Sequence, residues 1–151
     1  MRITKENIHE FIDGKIMNCF NRNITYIEFI PEGITALFCG SNKLTELPIL
    51  PDSLKNLYCS NNKLISLPKL QESLISLDCD NNKLTELPKL PDNLKYLKCY
   101  NNKLTSLPKL PDSLERLNCR NNNLPYPITI DNVKEHNKLI KRKEILSKIC
   151  I

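Results

Sequence analysis

The sequence predicts an α/β repeat solenoid with a parallel β-sheet on one side and extended, polyproline-like segments on the other. Two observations predict this fold. The stretch CDNNKLTELPKLPDNLKYLK is followed at once by CYNNKLTSLPKLPDSLERLN, with the same residue types in nearly every column. Cysteine recurs at a fixed spacing of 20 residues, at Cys19, Cys39, Cys59, Cys79, Cys99 and Cys119. Such a period indicates that each unit buries its apolar side only against its neighbours.

Each copy contains a short predicted strand that leads to the repeating cysteine. Leu57 and Cys59 alternate with Asn56, Tyr58 and Ser60, which is the period-two pattern of a strand with one buried side. The cysteines take the buried positions, where we interpret them as small, reduced hydrophobic residues of the core. Metal binding and redox chemistry are alternatives, but the sequence has no C-x-x-C pair and no histidine close to the cysteines. We therefore expect no metal and no cofactor.

An asparagine three residues after each cysteine is expected to end the strand. Its side-chain amide suits a turn because it bonds neighbouring backbone groups. Five such asparagines are expected to stack into one ladder: Asn42, Asn62, Asn82, Asn102 and Asn122. The return half of each copy, LTELPKLPDS in its cleanest form, contains two prolines and no helical apolar stripe. It is predicted to be extended, with a Pro-Asp turn into the next strand.

These residues resemble a leucine-rich repeat. Its pattern L-x-x-L-x-L-x-x-N/C-x-L matches five consecutive copies, which begin at Ile34, Leu54, Leu74, Leu94 and Leu114. The 20-residue length and the L-P-x-L-P return look like the short repeats of secreted bacterial effectors, and the cysteine version is similar to repeats encoded by large DNA viruses. The resemblance implies a solenoid whose parallel sheet lies on the concave side.

Three segments are predicted along the chain. Residues 1–14 are an N-terminal helical cap, residues 15–127 carry the repeats, and residues 128–151 are a basic C-terminal helical cap. The first repeat, which begins at Cys19, is a degenerate copy with Arg22 in place of the ladder asparagine. Atypical units are expected at the ends of a repeat array.

Both predicted caps carry helix signals. Thr4 is expected to N-cap a short helix that Gly14 closes, and Asp131 is expected to start a longer one. The apolar stripe of the longer helix is predicted to cover the open core of the last repeat. That stripe consists of Val133, His136, Leu139, Ile140, Leu146 and Ile149.

The formal net charge is +5, and much of it lies in the C-terminal segment. That segment contains three acidic residues and six basic ones. The basic residues are Lys134, Lys138, Lys141, Arg142, Lys143 and Lys148. We interpret them as a solvated helix surface, with a nucleic-acid or anionic-surface patch as the alternative. A second basic set recurs beside the ladder asparagines, at Lys43, Lys63, Lys83 and Lys103. These lysines are interpreted as solvated frame residues, and a phosphate-binding stripe is the alternative.

The sequence shows no sign of catalysis. At 151 residues it has no room for a catalytic domain beside the repeats, and neither a glycine-rich phosphate loop nor a pair of neighbouring histidines is present. The N-terminus MRITKENIHEF is charged where a secretory signal would be apolar. We expect a cytoplasmic, monomeric, non-enzymatic protein without a membrane span.

The candidate binding residues are those that the repeat does not fix. Residues three before, one before and one after each cysteine are expected to project from the concave sheet, and their chemistry varies. Aromatic and arginine side chains are typical anchors of protein interfaces. The predicted partner-binding residues are Tyr58, Asp78, Asp80, Tyr96, Lys98, Tyr100, Arg116 and Arg120. The partner is an unidentified protein in this hypothesis. The alternatives are nucleic-acid or anionic-surface binding through the lysines and the basic helix, and a structural repeat with no dedicated ligand.

Overall fold

The computed structural model describes residues 1–149 and consists mainly of short strands joined by extended segments. In chain order the strands are β1 (Arg2–Ile3), β2 (Ile12–Asp13), β3 (Ile16–Asn18), β4 (Tyr26–Ile27), β5 (Ala36–Phe38), β6 (Asn56–Tyr58), β7 (Ser76–Asp78), β8 (Tyr96–Lys98) and β9 (Arg116–Asn118). Helix α1 (Val133–Ile149) follows them. Cys150 and Ile151, the end of the predicted C-terminal cap, lie outside the described residues.

One seven-stranded sheet holds the repeats together, in the order β2-β3-β5-β6-β7-β8-β9. From β3 to β9 the neighbouring strands are parallel, and each residue pairs with the residue 20 positions later, as in Leu57 with Leu77. Strands β1 and β4 form a separate parallel pair. The parallel sheet confirms the predicted fold. Strand β3 places the degenerate first repeat in the same 20-residue register as the others.

The core is a column of leucines, isoleucines and cysteines enclosed between the strands and the return segments. All six repeating cysteines are buried free thiols. Burial raises the pKa of Cys19 to about 12, and it also raises the pKa of Cys59 and Cys99. The cysteines therefore lie in the core as the sequence predicted, in a protonated, unreactive form.

The repeating thiols are expected to react slowly with a thiol reagent until the protein unfolds, because the reactive species is the thiolate. Labelling resolved by site with mass spectrometry measures this, and Cys150, near the terminus, is expected to react first. Fast labelling of Cys59, Cys79 or Cys99 in the folded protein would contradict the prediction.

The predicted asparagine ladder is present and joins consecutive repeats. The Asn82 amide nitrogen donates hydrogen bonds to the carbonyl oxygens of Cys59 at 3.1 Å, Cys79 at 3.1 Å and Asp80 at 3.2 Å. Its side-chain oxygen accepts from the Leu64 backbone N–H at 3.0 Å. Asn62, Asn102 and Asn122 make equivalent bonds. Each ladder residue thus satisfies buried backbone groups of its own repeat and of the preceding one.

The residue before each ladder asparagine has a left-handed backbone, which the sequence analysis missed. Its φ is +54° at Asn61 and +53° at Asn81 and Asn101. Asparagine tolerates this region better than most residues because its short polar side chain bonds locally. The repeated Asn-Asn pair therefore has two separate tasks, the first residue turning the backbone and the second forming the ladder.

The return segments have no regular secondary structure, as predicted, and each ends in a tight turn. The Leu54 N–H donates to the Pro51 carbonyl at 3.1 Å, which closes the predicted Pro-Asp turn. Gln71, which replaces the second proline, keeps the turn with a 3.0 Å bond from the Leu74 N–H. Its side chain also donates to the Leu50 carbonyl of the preceding repeat at 2.7 Å.

The N-terminal cap differs in detail from the prediction. Its helix is a single 3-10 turn, Ile8–Phe11, and Asn7 rather than Thr4 precedes it. Gly14 has a φ of +56° and lies between the antiparallel strands β2 and β3 rather than closing a helix. An Asp-Gly pair between apolar residues is a hairpin signal. Strand β2 therefore pairs with one edge of the sheet.

The C-terminal cap covers the core with only its first two turns. Val133 and His136 are buried, whereas Leu146 is 60% and Ile149 is 70% exposed. Residues 141–149 are all exposed. The predicted stripe was therefore wrong for the second half of the helix, because 17 residues span about 25 Å, far more than one repeat's core requires.

Candidate functional site

The predicted binding residues lie on one surface, the outward side of β3 and β5 to β9, which we call the sheet face. Strand pairing sets Tyr58 beside Asp78, Asp78 beside Lys98, and Tyr96 beside Arg116. Parallel neighbours of this kind are about 4.8 Å apart. The structure thus sets predicted residues of consecutive repeats side by side on this surface.

An open depression of about 430 Å³ lies on the sheet face over strands β6 to β9. Ser76 is buried at its floor, between Asn56 on one side and Tyr96 on the other. Five of the eight predicted residues line it: Tyr58, Asp78, Tyr96, Lys98 and Arg116. Asp80, Tyr100 and Arg120, each one residue after a cysteine, lie outside this lining.

Tyr96 is held in place by a network that the sequence analysis did not find. Its hydroxyl donates to the Glu115 carboxylate at 3.0 Å, and Lys95 pairs with the same carboxylate at 2.9 Å. The hydrogen bond from Lys95, followed by that from Tyr96, lowers the pKa of Glu115. The Arg116 guanidinium carbon lies 5.9 Å from the centroid of the Tyr96 ring. These contacts fix the orientation of the Tyr96 side chain.

Asp80, one of the predicted binding residues, forms a contact between two repeats. Its Oδ1 accepts the Tyr100 backbone N–H at 2.6 Å. Burial, and next the charge of Asp78, raise the pKa of Asp80 from 3.8 to about 6. Asp78 is in turn 3.8 Å from the Lys98 ammonium. Each of these two predicted acidic contacts already has a partner within the chain.

The substitution Asp80→Asn is expected to raise the free energy of unfolding at pH 7 by about 1 kcal/mol. This value is kept small because Asp80 is half-exposed and solvent screens its charge. The folded state holds the Asp80 proton more tightly than the unfolded chain, so the free energy of unfolding falls as the pH rises from about 4 to 6. Asparagine keeps the oxygen that Tyr100 needs and removes the charge. Urea unfolding at several pH values measures this, with the exposed Glu86→Gln as control. If the free energy of unfolding of Asp80→Asn fell with pH as steeply as that of the wild type, the prediction would be refuted.

The other half of the sheet face is aromatic and apolar. The Phe38 and Tyr58 rings stack with centroids 4.8 Å apart and planes 12° from parallel. Phe20 is 55% exposed, and its ring lies 3.4 Å from the point where a Cβ on Gly40 would be. Ile16, which pairs with Ala36, is 44% exposed on the same face. Phe20 and Ile16 were missed because the face was counted from Ala36 onward, although both keep the 20-residue register.

The described residues contain no cluster of potential metal ligands. No three His, Cys, Asp or Glu side chains of residues 1–149 are grouped so as to hold a metal ion. Buried His136 bonds the Tyr126 hydroxyl at 2.9 Å and the Pro108 carbonyl at 3.0 Å, both structural contacts. No helix among the described residues has the length and apolar character needed to cross a membrane.

The register, the asparagine ladder and the proline-rich returns define the chain as a leucine-rich-repeat protein with 20-residue repeats. Solved structures agree with this assignment. A leucine-rich-repeat domain of a Shigella effector is similar at 36% identity with a TM-score of 0.73, over 84% of this chain and 57% of that one. YopM from Yersinia enterocolitica is similar at 35% identity with a TM-score of 0.65, over 70% of this chain and 25% of that one.

YopM from Yersinia pestis, a leucine-rich effector protein, has 30% identity and a TM-score of 0.59, over 73% of this chain and 38% of that one. The chain thus spans 25% to 57% of the length of these three structures. No protein-family model and no curated protein sequence matches it. Repeat solenoids of this class present extended surfaces for protein interaction and typically serve as non-catalytic scaffolds.

Proposed function

We propose that the chain is a non-enzymatic module that binds a protein partner through the sheet face. One observation carries the proposal: five of the predicted residues, from four consecutive repeats, line a single depression, and none of the five belongs to the hydrophobic core. Two of the similar structures are leucine-rich-repeat effectors, which favours a role in contacting other proteins. Tyr58, Tyr96 and Arg116 are the proposed anchors, because aromatic and arginine side chains dominate interface energies.

The proposed setting is a monomer in the cytoplasm. Six free thiols in one core fit a reducing compartment, where disulfides are rare. Size-exclusion chromatography with light scattering tests the monomer.

Replacing Tyr96, Tyr100 and Arg116 together by alanine is expected to abolish partner capture from a cell extract while leaving the melting temperature almost unchanged. Each such truncation typically costs about 1 to 2 kcal/mol in binding, and the three side chains lie outside the core. Affinity capture with quantitative mass spectrometry and circular dichroism are the measurements. The control replaces Lys63, Lys83 and Lys103 by glutamine. If the tyrosine variant captured the same proteins as the wild type, the proposal would fail.

A second candidate function is electrostatic binding to nucleic acid or an anionic surface. The favouring observation is that all four lysines of one column are exposed: Lys43, Lys63, Lys83 and Lys103. So are the six basic side chains of α1, namely Lys134, Lys138, Lys141, Arg142, Lys143 and Lys148. Binding of labelled duplex DNA or anionic vesicles that falls steeply with salt, and is lost in the lysine variant, would favour this function. If neither variant changed any association, a structural repeat without a ligand would be the better account.

A further inference from the structure

We infer that the partner is a protein segment that places an apolar side chain on one half of the sheet face and carboxylates on the other. The inference rests on the proposed function and deepens it. It follows from an uneven distribution of chemistry along the repeats. Apolar and aromatic side chains lie on or just after β3, β5 and β6, namely Ile16, Phe20, Phe38 and Tyr58, whereas Arg116 on β9 and Arg120 just after it carry guanidinium groups.

The apolar half is built from residues that the core does not use. Ile16, Phe38 and Tyr58 alternate with the buried residues of their strands, and Phe20, two residues after β3, is exposed. The Phe38 and Tyr58 rings stack on each other. Buried Gly40 leaves the space over which the Phe20 ring lies. Exposed apolar groups that cluster in this way mark interaction sites, whereas single ones are common on any surface. This half therefore suits an aliphatic or aromatic anchor.

The charged half contains two cations that no carboxylate of the described residues pairs with. Lys95 and Lys98 pair with Glu115 and Asp78, but within residues 1–149 neither Arg116 nor Arg120 forms a salt bridge. Both side chains are exposed. A guanidinium group matches a carboxylate with two parallel hydrogen bonds, so acidic side chains are the complementary ligands.

The acidic pair between the two halves argues for a protein segment over nucleic acid. Aromatic rings and arginines also bind single-stranded nucleic acid, through stacking and phosphate contacts. A strand crossing the sheet face, however, would bring its phosphates over Asp78 and Asp80, with like-charge repulsion. A peptide carries charge only at chosen positions, so it can present neutral or basic residues there.

The strand spacing sets the length of the segment. Phe38 on β5 is four strands from Arg116 on β9, and Tyr58 on β6 is three strands away, so the stacked aromatic pair lies about 14 to 19 Å from Arg116. An extended chain rises about 3.3 Å per residue, and a helix about 1.5 Å. The apolar and acidic residues of the partner are therefore about 5 positions apart if extended, or about 11 if helical.

The test is selection of random peptides of roughly 14 residues, long enough for either conformation, displayed on phage against the immobilised full chain. We expect enriched peptides to combine an apolar residue with Asp or Glu at one of the two spacings. Fluorescence anisotropy with the synthetic peptide then measures affinity. The double variant Arg116→Glu with Arg120→Glu is expected to lose at least 10-fold in affinity, and a peptide with Lys in place of its acidic residues is expected to restore it.

Matched control variants show whether the effects depend on the sheet face itself or only on the overall charge and apolar surface of the protein. The pair Lys141→Glu and Lys148→Glu changes the charge by the same amount on the exposed part of α1, and is expected to leave affinity within about 2-fold. Phe20→Ser with Phe38→Ser is expected to weaken binding at least 10-fold, whereas Ile49→Ser with Ile65→Ser, exposed apolar residues outside the sheet, is expected to have no effect.

Three results would overturn the inference, and they differ in what they mean for the proposed function. Selected peptides that need Tyr58 and Tyr96 but lack the apolar and acidic pattern would leave sheet-face binding intact. Peptides whose affinity no sheet-face variant changes would count against both. Binding of a single-stranded oligonucleotide that the Arg116→Glu and Arg120→Glu variant abolishes, with no peptide enriched, would make nucleic acid the ligand of this surface.

Discussion

Replacing Asn82 by alanine is expected to lower the free energy of unfolding by about 3 to 5 kcal/mol. The side chain satisfies the carbonyls of Cys59 and Cys79 and the Leu64 N–H, all at buried positions between two repeats. Each buried backbone group left without a partner costs about 1 to 3 kcal/mol. Because Asn82 lies inside the array, its loss weakens the joint on which the neighbour-by-neighbour stability of a solenoid depends. Urea denaturation monitored by circular dichroism measures the change.

Asn122→Ala is the matched control. Asn122 makes the same kinds of bond to Cys99, Cys119 and Leu104. It is only half-buried, in the last copy, where water reaches the groups that it leaves. A loss of about 1 kcal/mol is therefore expected. If the two substitutions were equally mild, the ladder would be a consequence of the fold and not one of its main supports.

The ladder shows what a repeat discloses through its sequence alone. A polar residue at a fixed place in five copies must do the same task five times, and backbone hydrogen bonding is the task that an amide suits. The left-handed residue before the ladder asparagine was not predicted, for two reasons. Ser41 occupies that position in one copy, and a positive φ angle does not produce a periodic pattern of hydropathy. The fold was therefore predictable wherever it is repeated, and less so at the ends.

On the sheet face, too, some features could be predicted from the sequence and others could not. Which positions point outward follows from the strand period, so Tyr58, Tyr96 and Arg116 could be named in advance. Which charges remain free does not follow, because it depends on contacts across strands. The Asp78–Lys98 pair and the bond from Tyr100 to Asp80 appear only when neighbouring repeats are set in register. Phe20 was overlooked because its repeat is the least regular one.

Removing residues 129–151 is expected to cause aggregation and a fall of more than about 10 °C in melting temperature, whereas removing residues 141–151 is expected to leave both nearly unchanged. The helix covers the last repeats through buried Val133 and through paired polar contacts. Asn137 bonds both the N–H and the carbonyl of Leu110 at 2.8 Å, and His136 bonds the Pro108 carbonyl. Losing these contacts costs several kcal/mol, and each kcal/mol shifts the melting temperature by a few degrees.

The point variant Asn137→Ala tests the same cap without shortening the chain. It leaves the Leu110 N–H and carbonyl without their side-chain partner, so a loss of about 2 kcal/mol is expected. Leu146→Ala, on the exposed part of the helix, is expected to change stability by less than about 0.5 kcal/mol. Differential scanning fluorimetry and light scattering compare all four proteins. If the shorter deletion were as damaging as the longer one, the exposed end of α1 would have a contact in the folded protein, and its apolar residues would belong to the cap as the sequence pattern indicated.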